Sequence, residues 1–224
     1  MKMPSMRIVL FGLLAIIHVG ARYGAIDLLG DVTKIALMPC LAFCLELHKS
    51  SKNRMLWGGV FFSWLGDIFL IPDDALFFLV GVGGFWIAQL CYCRLMMGRF
   101  KNSLKRALQK PTTAIPTVLL LGYLGAVLWE MGPQLEQLFW PIAAYASTLS
   151  MTVFLATLLV IEHPTQQKMA LLLGAALFMI SDSMIAFDAF YFAQPIFTYW
   201  IMVTYIPAQF LLVRGFNNGQ EDLS

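Results

Sequence analysis

Two short stretches each set a single carboxylate inside an apolar run. Phe61-Phe62-Ser63-Trp64-Leu65-Gly66-Asp67-Ile68-Phe69-Leu70 holds Asp67 with no basic neighbour, and Leu177-Phe178-Met179-Ile180-Ser181-Asp182-Ser183-Met184-Ile185-Ala186 repeats the design around Asp182. An Asp at the centre of a membrane helix costs about 2.5–3.5 kcal/mol on insertion scales, so an acid at that depth marks a candidate functional site. Two carboxyls held close together in low dielectric share a proton between them. A protonated acid beside an ionised one is equipped for general acid catalysis together with cation stabilisation or water activation. Each Asp alone has a plainer reading: it caps a helix break or hydrogen-bonds a neighbouring helix.

The elements that must position these acids follow from composition. The chain has 224 residues, of which 59% are hydrophobic and 12% charged, and its mean hydropathy is +0.74. A soluble domain carries about 25% charged residues, so the missing charge indicates an all-α polytopic membrane protein. A net charge of +2 argues against a nucleic-acid partner. The four Cys lie inside apolar runs and read as buried thiols. His18, His48 and His163 are too scattered to complete a zinc site, so no metal is expected.

Runs long enough to span a bilayer, roughly 17–25 residues, number eight. They are about 6–25, 33–47, 55–71, 75–97, 113–129, 138–161, 169–187 and 196–213, separated by short connections rich in Gly, Pro and Asp. They make one transmembrane domain, 1–216, with a disordered cytoplasmic tail, 217–224. The first run has the outline of a signal peptide, with Lys2 and Arg7 ahead of it, yet it fits as a span. With both termini inside, Lys and Arg fall almost wholly on the inner side. Only Arg22 and Lys34 fall outside, where the loops carry Asp27, Asp31, Asp73, Asp74, Glu130, Glu136 and Asp188. Ala88-Gln89 followed by Arg94 ends the fourth run, and Ala208-Gln209 followed by Arg214 ends the eighth. Asp67 and Asp182 share that four-helix offset, which suggests two parallel four-helix repeats related by an axis along the membrane normal.

At a rise of about 1.5 Å per residue, Asp67 and Asp182 lie roughly 6 and 8 Å below the outer ends of their runs. Tyr145 and Tyr205 enter the same half, as core phenols or as donors to the acids. Lys34 and Arg22 read as interface anchors or as a clamp for phosphate. Ser63 and Ser181 read as interhelical hydrogen-bond donors or substrate contacts. Gln89 and Gln209 complete the set of candidate substrate-binding side chains. A serine nucleophile would have only His18 as an intramembrane base.

Several of these residues carry a family resemblance. Lys34 with Met38-Pro39, Ser63-x-x-Gly66-Asp67, Gly81-x-x-x-Phe85-x-x-Ala88 to Tyr92, Tyr145 to Met151, Gly174-Ala175-x-Leu177-Phe178-x-x-Ser181-Asp182 and Tyr205-x-x-Ala208-Gln209 resemble the lysoplasmalogenase (YhhN-like) family of eight-span membrane proteins. One departure is that Gln89 stands where the family often carries His. The resemblance implies hydrolysis of the vinyl ether bond of lysoplasmenyl ethanolamine or choline lipids in a bacterial inner membrane. The products are a fatty aldehyde and the glycerophospho alcohol. It further implies Asp67 and Asp182 as the catalytic pair, and no cofactor. A proton-coupled transporter of a small solute or lipid is the main rival, because it too would show repeats and buried acids. An intramembrane aspartyl protease is disfavoured, since Trp64 stands where its Gly-x-Gly-Asp signature needs the first Gly.

Overall fold

The computed structural model describes residues 6–47, 54–100, 103–135, 138–192 and 195–218. These residues form α1 (Met6–Tyr23), α2 (Asp27–Cys44), α3 (Arg54–Phe69), α4 (Ala75–Arg99), α5 (Leu104–Leu108), α6 (Ala114–Leu135), α7 (Phe139–Glu162), α8 (Gln166–Phe187) and α9 (Pro195–Asn218), with no strand among them. A π turn, Asp188–Phe192, follows α8. The long helices overlap the eight apolar runs, but α2 begins six residues before its run, so Asp27 and Asp31, read as loop residues, lie in α2, and Glu130 lies in α6; α5, a short helix in the basic connection after α4, has no counterpart among the runs. Asn217, placed by the sequence at the start of a tail, belongs to α9, and its amide donates to Leu45 O at 2.7 Å. Residues 219–224 lie outside the described residues, as do Lys2, Lys49, Lys52, Lys101 and Glu136 of the charge alternation.

Burial follows an apolar solvent. Ile115, Val118, Leu119 and Leu121 of α6 are exposed, while Lys34, Asp67, Gln89, Asp182 and Gln209 are buried. So large an exposed apolar surface marks a membrane-embedded protein. Six helices, α1, α4, α6, α7, α8 and α9, are long and apolar enough to cross a bilayer. The other two long helices depart for clear reasons. α2 carries Asp27, Asp31 and Lys34, and α3 has only 16 residues, about 24 Å of helix against about 30 Å of hydrocarbon. These are the helices that supply Lys34 and Asp67.

Two local devices bring them into register. Pro39 lies inside α2, where its missing N–H would leave the Ile35 carbonyl unsatisfied. The Trp64 indole of α3 donates to that carbonyl at 2.9 Å, so the helix break becomes a contact between α2 and α3. The α3–α4 and α8–α9 pairs then pack through glycine. A Cβ on Gly84 would stand 2.9 Å from Phe62 O, and one on Gly174 would stand 3.0 Å from Ala208 O. Without a hydrophobic drive between helices in lipid, such close backbone approach carries the association.

Gly84→Ala is therefore expected to destabilise the fold by about 1–3 kcal/mol. Gly83→Ala, whose Cβ meets nothing within 4 Å, should leave it unchanged or slightly more stable. Thermal unfolding of both variants in the same detergent checks the contrast.

Candidate active site

Asp67 sits in the last turn of α3 and is 1% exposed. Its neighbour Gly66 leaves room for the Phe85 ring of α4, whose carbons lie 3.0 Å from where a Cβ would stand. From α9, the Tyr205 phenol donates to Asp67 Oδ2 at 2.7 Å. Gln209, one helical turn on, donates its Nε2 to the Tyr205 oxygen at 3.2 Å, and its Oε1 accepts from the Tyr92 phenol of α4 at 2.9 Å. All four side chains are buried, and the donors run in one direction along the chain from Tyr92 to Asp67. Tyr205 has one hydroxyl proton and gives it to Oδ2. When Asp67 is neutral, its own proton is left to Oδ1.

Asp67 lines a cavity of about 600 Å³, within the range that holds small-molecule ligands. Lys34 from α2 and Tyr205 line it with Asp67, and Phe78, Phe85 and Met202 supply apolar wall. The Lys34 ammonium acts electrostatically on Asp67, and Lys34 is the one basic side chain lining the cavity among the described residues. Asp73 and Asp74 from the α3–α4 connection and Asp188 from the turn after α8 lie at its rim. The Asp74 carboxylate is also the N-cap of α4, accepting from Leu76 N and Phe77 N.

Asp182 occupies a different compartment. It lines a pocket of about 50 Å³ whose other walls include Val82, Met131, Ile142 and Leu149. The Tyr145 phenol of α7 donates to Asp182 Oδ2, so each acid receives one phenol from another helix. Asp182 Oδ1 has no hydrogen-bond partner among the described residues. Sequence reasoning paired the two carboxyls, and each lines a cavity of its own. They line adjoining cavities with a common partition of Phe78, Phe85, Ile185 and Phe190. Phe85 of that partition is held in place: Phe85, Phe178 and Tyr205 meet edge to face with centroids 5.6–5.9 Å apart. The carboxyls nevertheless act on each other electrostatically across it.

The remaining candidates are dispersed. Arg22 is held by Asp31 at 2.7 Å and is not among the residues lining either cavity. Its guanidinium lies over Gly30, with Nε 2.8 Å from the Cβ position. Ser181 donates to Ile201 O at 3.2 Å, joining α8 to α9. Both polar atoms of the Gln89 amide are buried without a partner among the described residues, and the buried Ser63 hydroxyl lies near the Tyr92 phenol. His18 Nδ1 bonds Thr33 Oγ1 at 2.8 Å, so it is engaged by α2 and not by a serine. Sequence reasoning used Asp73, Asp74 and Asp188 only as markers of the outer side. Their closeness in sequence to Asp67 and Asp182 was the available signal that they border the site. The Tyr123–Ser183 hydrogen bond beside Asp182 had no such signal.

Fold and site together define an all-α, multi-pass membrane protein with a buried acid opening on a ligand-sized cavity. The chain belongs to the YhhN family, whose model matches residues 29–216. That range takes in α2 to α9 up to Phe216, and so Lys34, Asp67, Tyr205 and Asp182. Neither the curated proteins nor the solved structures contain a match to the chain.

If each acid is held by its own phenol, stability should respond in two separate pairs. Tyr205→Phe leaves a buried carboxyl oxygen unsatisfied and should cost about 1–3 kcal/mol. Double-mutant cycles in detergent should show coupling of about 0.5–3 kcal/mol within Tyr205/Asp67 and within Tyr145/Asp182. The crossed pair Tyr205/Asp182 should be additive, and equal coupling there would contradict the partition.

Proposed function

We propose that this protein is a lysoplasmalogenase, an eight-span enzyme with both termini in the cytoplasm that hydrolyses the vinyl ether of single-chain alkenyl lysophospholipids. The observation that carries the reading is Asp67, a buried carboxyl bonded to the Tyr205 phenol on a cavity of about 600 Å³. Membership of the YhhN family supports it. α2 and α3 both contribute to the cavity, through Lys34 and Asp67, where neighbouring spans and the polar lining shield their charged groups from lipid.

In the proposed reaction, Oδ1 of neutral Asp67 gives its proton to the vinyl carbon beta to oxygen. The π pair of the C=C bond forms the new C–H bond and leaves a C–C single bond, and the positive charge is shared between the adjacent carbon and the ether oxygen as an oxocarbenium ion. Water adds to that carbon and returns one proton to the Asp67 carboxylate. The hemiacetal then collapses, with a second proton passing from its hydroxyl to the leaving glycerol oxygen. One vinyl ether and one water give one aldehyde and one alcohol, and Asp67 ends as it began. Glycosidases similarly set carboxyls about an oxocarbenium-like transition state. Asp182, behind the Phe85 partition, is assigned to stabilising the cation through space, and its phenol partner Tyr145 to holding it.

General acid catalysis contributes about 10²–10⁴-fold, so Asp67→Asn should lower kcat by that factor, and Asp182→Asn should lower it less. Mass spectrometry of purified protein with alkenyl, alkyl and acyl lysophospholipids should find aldehyde from the alkenyl lipid alone. In D₂O, with the aldehyde trapped by reduction as it forms, one deuterium should sit on the carbon next to the carbonyl carbon. Aldehyde lacking that deuterium would overturn the protonation step. Solute movement across liposomes with no aldehyde would replace the enzyme with a transporter.

A further inference from the structure

Asp182 keeps one carboxyl oxygen unbonded. The residue is only 6% exposed. Tyr145 of α7 donates to Oδ2, while Oδ1 has no partner among the described residues. Three hydroxyls line the pocket beside it, those of Tyr123 from α6, Tyr145, and Ser183 from α8. Each has one proton to give, and all three protons are engaged. Tyr145 gives its own to Asp182. Ser183 gives its own to Met179 O at 2.6 Å, so Tyr123 is the donor in the Tyr123–Ser183 bond. Lone pairs alone are left for an occupant of the pocket. The rest of the lining is apolar, with no Lys, Arg or His among the described residues. Lys34 acts electrostatically on Asp67, whereas the charge that acts on Asp182 is that of Asp67.

Such a lining repels an anion and suits a donor or a cation. Ionised, Asp182 is a buried carboxylate without a counter-charge, which is costly. Protonated at Oδ1, it is a buried donor with no acceptor in reach. A small cation removes both deficits, since it pairs the charge and takes the free lone pairs. Size and charge narrow the class. The pocket of about 50 Å³ is far below the roughly 300–1,000 Å³ of small-molecule sites, yet above the roughly 10–15 Å³ that one water needs. One carboxylate matches one positive charge, and an all-oxygen lining suits a hard ion.

We propose that the Asp182 pocket binds a monovalent alkali cation of sodium's size, on Asp182 Oδ1 and the oxygens of Tyr123, Tyr145 and Ser183. The site draws on α6, α7 and α8, so an ion there ties α6, whose Ile115, Val118, Leu119 and Leu121 are exposed, to the bundle. The inference stands apart from the reaction proposed above. A bound ion leaves Asp182 with no net charge toward the Asp67 cavity, so occupancy sets how much of its field arrives there. A water on a protonated Asp182 is the rival occupant, and it carries no dependence on the salt.

The test is thermal unfolding of the full chain in detergent, followed by intrinsic Trp fluorescence. Sodium chloride is titrated against N-methyl-D-glucamine chloride at constant ionic strength, the organic cation being too large for the pocket. Sodium should raise Tm in a saturable way relative to the organic cation. Tyr123→Phe removes one of the oxygens and should raise the apparent sodium Kd about tenfold. Asp182→Asn should abolish the response, and Tyr92→Phe, in the hydrogen-bond chain to Asp67, should keep it. Binding of radiolabelled sodium, displaced by unlabelled sodium, should give the same order without unfolding. Equal Tm in the two salts would mean an ordered water only and would overturn the site. A sodium response that survives Asp182→Asn, or one unmoved by Tyr123→Phe, would overturn it too. If Asp182→Asn does not fold, the Tyr123→Phe titration decides alone. Neither readout uses aldehyde release, so failure of the enzymatic reading and failure of the cation site are told apart.

Discussion

The hydrogen bond from Tyr205 to Asp67 is the constraint from which the site is organised. A carboxyl in the membrane is tolerated when its hydrogen bonds are completed by protein. Here completion reaches through three helices: α3 holds the acid, α9 holds the phenol and the Gln209 amide, and α4 closes the chain with Tyr92. Each member spends its donor on the next, so the polarity of the acid is set by residues deep in the bundle. The chemistry proposed for Oδ1 depends on that polarity more than on proximity to any second charge.

Helix packing serves the same end. Backbone contact at Gly84 and Gly174 brings α4 onto α3 and α9 onto α8 closely enough for short side-chain bonds to form between helices. The same closeness places Phe85 beside Gly66 and Phe178 beside Tyr205, and this aromatic cluster holds Phe85, which lines both acids' cavities. One packing solution therefore gives Asp67 a cavity and denies Asp182 the same one. The two phenol–carboxyl pairs are alike in chemistry and unlike in access.

The helices that supply the site are also the ones least like ordinary spans. α2 contains Pro39 and three charged residues, and α3 is short. Their deficits are met by partners: Trp64 takes the carbonyl that Pro39 leaves open, and Asp31 takes Arg22. Irregular or charged membrane segments persist where they line a cavity. The cost carried by α2 and α3 is concentrated at the end of the bundle that holds the Asp67 cavity.

The sequence by itself determined the helical membrane class and the approximate position of most long helices, and it singled out Asp67 and Asp182 as lone acids in apolar runs. It also named Tyr145, Tyr205 and Gln209. These were legible because hydrophobic runs and misplaced charges are one-dimensional signals, read against the known thickness and polarity of a bilayer. Tertiary structure decided which phenol serves which acid, that Arg22 is consumed by Asp31 while Lys34 reaches the cavity, and that the carboxyls are parted by Phe85. It also decided that Asp73 and Asp188, separated by more than a hundred residues of chain, border one rim. No periodicity carries that information. Equal depth brings two side chains to one level, but the rotation and closeness of helices, set here by glycine contacts and by ring packing, decide what lies between them.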